Sequence, residues 1–209
     1  MKCDKKFMRL YAVTDRAWVG KQSLYEQVES ALKGGATCVQ LREKHMSDDD
    51  FLKEALEIGA LCKRYNVPLF INDNVGVAIN GIHVGQDDMA VEQVRTLVGD
   101  DMMIGVSAHT VEEAVRAVKG GADCLGVGAM FSTSTKADAS VLPKATLRDI
   151  CAAVDVPVVA IGGINKSNIM QLAGTGVDGA ALVSAIFAAD DIEGECRALR
   201  KLSDEMVNA

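Results

Sequence analysis

Residues 103–130 read MIGVSAHTVEEAVRAVKGGADCLGVGAM. Met103 to Ala108 is a short apolar run with β-branched members. Thr110 then opens a helical period, TVEEAVRAVKGG, with Glu113 placed as its capping-box partner. Gly120-Gly121 stands where a helix C-cap is wanted, and Cys124 to Met130 follows as a second strand. A strand, a crossover helix and a strand within about 30 residues make the repeating unit of a parallel sheet.

Outward from this stretch the pattern recurs. Strand candidates are Met8 to Asp15, Cys38 to Glu43, Pro68 to Asp73, Gly81 to Gly85, Met103 to Ala108, Cys124 to Met130, Pro157 to Gly163 and Gly179 to Ile186. Their interiors are near-continuous apolar runs, as expected for a parallel sheet packed on both faces. Helix candidates fall between them. Ser23 opens SLYEQVESALKGG, Ser47 with Asp48 opens DDDFLKEALEIGALCKRYN, and later come LRDICAAV, KSNIMQLAGTG and the C-terminal DIEGECRALRKLSDEMVN. Eight strands in this order, with no linker to divide them, predict an α/β fold: one (β/α)8 TIM barrel domain over residues 1–209. One connection breaks the rhythm. Only seven residues, NVGVAIN, separate Asp73 from Gly81, which leaves room for about one helical turn or an extended return.

Composition bounds the function. The chain has 209 residues, 49% of them hydrophobic and 24% charged, and is long enough to bury a sizeable core. Lys and Arg number 22 against 29 Asp and Glu, for a net charge of −7. No bulk cationic field exists to attract nucleic acid or an anionic membrane, so an anionic ligand must be met by local positive groups. The six cysteines have no CxxC pair and no zinc-type spacing, and read as small buried hydrophobes in a reducing compartment. With no segment of signal-peptide or membrane-span character, a cytoplasmic location is expected. A homo-oligomer is compatible with the sequence, which does not specify one.

In such a barrel the ligand site lies at the C-terminal ends of the strands. Polar residues are dense there. Gln40, Arg42 and Lys44 alternate, which sends them to one side of an extended strand. An anion or a salt-bridged mouth would each account for them, and two cationic heads are what a diphosphate needs. Asn72-Asp73 and Asp88 close two neighbouring strands. Asp residues at such positions cap helices, but these two can also converge on one hard cation; beside Arg42, Lys44 and Lys136 the metal reading outweighs the caps. Thr133-Ser134-Thr135-Lys136 offers hydroxyls and a lysine as a phosphate cradle, and Gly162-Gly163 with Val183-Ser184 forms a second anion site across the mouth. His83 reads as a core or mouth histidine and His109 as a capping or packing residue. No acid, base and hydroxyl arrangement specifies a serine hydrolase.

At these residues the sequence resembles the thiamine-phosphate synthase family. The shared motifs are YAVTD (11–15), VQLREK (39–44), IND (71–73), GIHVGQDD (81–88), IGVSAHT (104–110), GVGAMFSTSTK (126–136), VVAIGGI (158–164) and VSAI (183–186), one per strand and in order. The resemblance implies transfer of a hydroxymethylpyrimidine from its diphosphate to a thiazole phosphate, with Mg²⁺, giving thiamine monophosphate and pyrophosphate. It implies that Gln40, Arg42, Lys44, Asn72, Ser107 and Lys136 hold the pyrimidine diphosphate, with Arg42, Lys44, Ser107 and Lys136 acting in catalysis. Asp73 and Asp88 would ligate Mg²⁺, and Thr133, Thr135, Gly163, Val183 and Ser184 would hold the thiazole phosphate.

Against the family pattern, the Asp73 to Gly81 connection is about four residues short, which would shift Asp73 against Asp88. Ala129 and Ser132 stand where the family has proline, and the SVLPKATL stretch is irregular. The rivals are a thiazole tautomerase of the same fold and a noncatalytic thiamine-phosphate-binding protein. Retention of QLREK, Asp73, Asp88 and Lys136 argues against the first.

Overall fold

Eight short strands, β1 (Leu10–Val13), β2 (Cys38–Leu41), β3 (Leu69–Asn72), β4 (Gly81–Val84), β5 (Met103–Ala108), β6 (Cys124–Val127), β7 (Val158–Ile161) and β8 (Gly179–Leu182), pair in parallel in sequence order, and β8 returns to β1 to close a barrel. This computed structural model describes residues 3–20, 22–133 and 140–209. The outer helices are α1 (Leu24–Lys33), α2 (Asp48–Arg64), α3 (Val91–Val98), α4 (Val111–Lys119), α5 (Lys144–Ala153), the four-residue α6 (Ser184–Phe187) and α7 (Ile192–Val207). Among the described residues no helix is long and apolar enough to cross a membrane.

Strand side chains alternate between two apolar layers. Leu10, Ala12, Val39, Leu41, Leu69, Ile71, Ile82, Val84, Ile104 and Val106 face outward and pack against the helices. Tyr11, Val13, Cys38, Phe70, Met103, Cys124, Val159 and Ala181 face inward, with Met8 packed among them. The remaining inward positions near the top are polar. Nearest the C-terminal mouth they are Gln40, Asn72, His83 and Ser107, so the interior passes from an apolar floor to a polar top.

Several expected boundaries move. The first strand begins at Leu10, because Lys5–Met8 form a 3-10 turn capped by Asp4 whose last residue plugs the floor. The eighth ends at Leu182: Val183 leaves the extended region at φ −112° and ψ −87°, and Ser184 starts α6. KSNIMQLAGTG gives only a four-residue 3-10 turn, Ile169–Leu172. The Asn165 side chain accepts from the Ser167 N–H and the Asn168 side chain from the Asn165 N–H in a tight bend, and Gly174 and Gly176 at positive φ end the segment early. NVGVAIN supplies one 3-10 turn, Val75–Val77, with Val77 buried, and β3 still pairs with β4 in the register Asn72 opposite His83.

Capping follows sequence in one helix and departs from it in another. Ser23 and Glu26 complete a reciprocal capping box on α1. On α4, Thr110 accepts from the Glu113 N–H, but the Glu113 carboxylate reaches past the cap to the His109 N–H, 2.7 Å away. The six cysteines are free thiols, and only Cys151 is not fully buried; burial pushes Cys62 and Cys196 up to about 12 and Cys151 up to about 11. Such thiols are inert at neutral pH.

Barrel closure depends on Gly179, where a Cβ would overlap the Met8 carbonyl oxygen and crowd Arg9 Cα. Gly179→Ala is expected to lower stability by about 2–3 kcal/mol in urea unfolding. Gly20→Ala, where a Cβ meets nothing within 4 Å, should stay close to the parent.

Candidate active site

The inward polar residues open into a cavity of about 400 Å³ at the C-terminal mouth, lined by Tyr11, Gln40, Arg42, Asn72, Asp73, His83, Asp88, Ser107, Thr133, Gly163, Val183 and Ser184 among others. Of the residues singled out from sequence, Lys44 stands apart. β2 ends at Leu41, so the alternation that would have carried Lys44 inward stops three residues short of it, and it is exposed in a bend. It lines a neighbouring cavity of about 620 Å³ with Asp15, Arg16 and Glu43, and Arg42 borders both spaces. Ser134, Thr135 and Lys136 lie outside the described residues.

Each residue near β2 is held by its neighbours. Gln40 is buried, and its amide donates to the Tyr11 hydroxyl over 3.1 Å, while Tyr11 packs on Phe70 at a centroid distance of 5.7 Å. The Arg42 N–H donates to Thr14 Oγ1, and its guanidinium meets Asp15 at 3.4 Å. Neither Tyr11 nor Asp15 was assigned a role from sequence. The alternation of YAVTD places Tyr11 and Val13 on one face, which was the available signal for the first. Glu43 is tied to Arg16 at 2.8 Å and is structural; burial and the nearby Glu54 push its carboxyl up.

The acidic pair rests on an unusual backbone turn. Asp73 has φ +60°, a left-handed conformation uncommon for a residue other than glycine, asparagine or aspartate. Its N–H donates to the His83 carbonyl over 2.9 Å, which ties the turn to β4. Its carboxylate accepts from the Asn72 amide and stands within hydrogen-bonding reach of Asp88. Asp88 in turn accepts from the Gly85 N–H at 2.6 Å. The short connection thus does not separate the two carboxylates. Asp73 is open to solvent on one side, yet burial on the other pushes its carboxyl from 3.8 up to about 6; Asp88 adds to the rise, while Asn72 and Arg42 oppose it. Two carboxylates this close repel unless a proton or a cation lies between them. Among the described residues no cluster of three or more His, Cys, Asp or Glu forms a metal cage, so a cation here would complete its shell with water or ligand oxygens.

β5 brings Ser107 to the same space, 3.1 Å from His83 Nε2. Gln86 clasps the Ser107 carbonyl at 2.6 Å and is itself held by Arg116. Opposite, Gly162 and Gly163 have φ of +97° and +64°, and a Cβ on Gly163 would collide with the Ser132 carbonyl. Only glycine lets this turn approach the loop after β6 so closely. The cavity therefore has an acidic and cationic side over β2 to β5 and a backbone-lined side over β6 to β8. That arrangement suits a ligand, or a pair, carrying charge at both ends.

Residues 10–186 match the family model described as thiamine monophosphate synthase. The thiamine-phosphate synthase of Clostridium botulinum strain Eklund 17B is 46% identical over 201 residues, covering 94% of each chain. That of Chloroflexus aurantiacus is 48% identical over 199 residues, covering 93% of this chain and 92% of its own. The solved thiamine phosphate pyrophosphorylase from Pyrococcus furiosus superposes with a TM-score of 0.89 at 37% identity, covering 97% of this chain and 98% of its own.

The raised Asp73 carboxyl gives a pH dependence with a definite sign. The folded protein binds this proton more tightly than the unfolded chain, so in metal-free protein the contribution of Asp73 to stability falls as pH rises from about 4 through about 6. Asp73→Asn, which tolerates the left-handed turn, should raise stability by about 1 kcal/mol at pH 7.5 once solvent screening is allowed for, and by much less at pH 5. Thermal unfolding in the presence of a chelator, at both pH values, checks this.

Proposed function

Since the chain belongs to the thiamine monophosphate synthase family, we propose that its barrel mouth joins 4-amino-2-methyl-5-hydroxymethylpyrimidine diphosphate to 4-methyl-5-(2-phosphooxyethyl)thiazole, releasing pyrophosphate and forming thiamine monophosphate. The observation that carries the reading is the convergence of Asp73 and Asp88 beside Arg42 on one side of a cavity whose other side is the Gly162-Gly163 turn. A tautomerase acting on the thiazole alone has no use for a diphosphate clamp.

The chemistry asked of the residues is ionisation followed by capture. The bond between the pyrimidine methylene carbon and the diphosphate oxygen breaks, its electron pair leaves with pyrophosphate, and the thiazole nitrogen then donates its lone pair to the same carbon. Arg42 and Lys136 neutralise charge that grows on the leaving group, which lowers the barrier because it is greater in the transition state than in the bound substrate; Lys44, which lines the neighbouring cavity that Arg42 also borders, joins them only by turning toward Arg42. Gln40, Asn72 and Ser107 orient the pyrimidine diphosphate. Thr133, Ser134 and Thr135, with Gly163, Val183 and Ser184, anchor the thiazole phosphate so that the ring nitrogen faces the cationic carbon, and positioning supplies much of the rate. Asp73 and Asp88 would hold Mg²⁺, whose chemistry when bound would be to polarise the diphosphate oxygens. Buried free thiols fit a reducing compartment, so the reaction belongs in the cytoplasm.

Incubation of both substrates with Mg²⁺ should yield pyrophosphate and thiamine monophosphate in equal amounts. A tautomerase or a noncatalytic binding protein would yield neither, and that result overturns the reading. Asp88→Ala should keep the parent circular dichroism spectrum and lose roughly hundredfold or more in turnover at limiting Mg²⁺, which corresponds to about 3 kcal/mol of lost charge stabilisation.

A further inference from the structure

His83 projects from β4 into the barrel and is 8% exposed. Two glycines make its seat. A Cβ on Gly105 would lie 2.5 Å from Nδ1, and one on Gly126 would lie 3.3 Å from Cε1. The ring thus occupies space left empty by β5 and β6, and an aliphatic side chain would fill it with no polar penalty. Instead one nitrogen is used and the other is not. Nε2 stands 3.1 Å from Ser107 Oγ, whereas Nδ1 is buried with no hydrogen-bond partner among the described residues.

The orphaned nitrogen decides the tautomer. Buried N–H groups without an acceptor are rarer than bare acceptors without a donor, so the proton belongs on Nε2 and Nδ1 carries only its lone pair. With Nε2–H donating to Ser107 Oγ, the serine hydroxyl has its own hydrogen left to give, and Ser107 lines the cavity. Gln86 fixes the backbone of the same residue through its carbonyl. We propose that His83 is a positioning residue: its Nε2–H occupies the Ser107 oxygen and turns the serine O–H into the cavity as a donor to the oxygens of the diphosphate substrate. This role rests on the synthase reading.

The test combines kinetics with imidazole ¹⁵N spectroscopy. His83→Asn places its amide near the Nδ1 position and cannot reach Ser107; it should lower kcat about 10- to 100-fold while KM for the pyrimidine diphosphate changes less than about threefold. His83→Gln, whose amide nitrogen reaches the Nε2 position, should restore kcat to within about fivefold of the parent. In a Ser107→Ala background His83→Asn should have no further effect beyond about twofold, because its effect passes through Ser107. The ¹⁵N spectrum of the parent, with the His83 signals identified by their loss in His83→Gln, should show the Nε2–H tautomer whether or not the protein is active. An Nδ1–H tautomer, full multiplication of the two kinetic losses, or parent kcat in His83→Asn would each overturn the role. Should His83→Asn fail to fold, the tautomer and the His83→Gln kinetics still decide. A parent protein that releases no pyrophosphate overturns the synthase reading and the role together; turnover with any of the contrary results overturns the role alone.

Discussion

A closed parallel barrel forces every second strand residue into a narrow interior, and the volume there is fixed by the ring of eight strands. Here that constraint is met by sharing space unequally. Gly81, Gly105, Gly126 and Gly179 give up their inward volume, and Phe70, His83 and the backbone at Met8 and Arg9 take it. The floor is closed by Tyr11, Phe70, Met103 and the cysteines of β2 and β6. Because the apolar residues are used up at the bottom, the last inward positions can be polar without opening a void. Gln40, Asn72, His83 and Ser107 stand on a packed base, which is what lets hydrogen bonds such as Gln40 to Tyr11 and His83 to Ser107 be held in place.

Above that base the energetics are dominated by charge. Asp73 is held at a left-handed φ by its own N–H bonding to β4, and the turn aims its carboxylate at Asp88, which the Gly85 N–H holds in turn. Folding therefore spends stability to bring two like charges together beside Arg42. Two such carboxylates repel unless a proton or a cation lies between them, and the raised Asp73 carboxyl reflects that cost together with burial. The opposite rim works through backbone rather than side chains. Positive φ at Gly162 and Gly163 brings the β7 turn against the loop after β6. One side of the mouth thus carries the acidic pair and Arg42, and the other a rim built from backbone.

The eight strands, their parallel order and the polar character of their C-terminal ends were legible in the sequence because each depends on local pattern: an apolar run of four to six residues, a capped helical period, a glycine pair before the next run. Ser23 with Glu26 is a case where the local rule held in full. Strand ends were less legible. A run such as GAALVSAI continues in apolar character past Leu182, but pairing with β7 and β1 stops there and α6 begins. The same limit applies to QLREK: its alternation continues to Lys44 on paper, while the strand ends at Leu41 and the lysine turns into a second cavity.

The sequence by itself determined the barrel, the family and which residue types stand at the mouth, since periodicity, caps and ordered motifs are properties of neighbouring residues. The tertiary structure alone decided which of those residues meet. Asp73 and Asp88 are fifteen positions apart, His83 and Ser107 twenty-four, and no local pattern encodes their approach. It follows from ring closure and strand register, which place Asn72 beside His83 and aim successive strand ends at one axis. The orphaned Nδ1 of His83 is likewise a fact about three strands at once: its ring comes from β4, and the glycines that seat it come from β5 and β6.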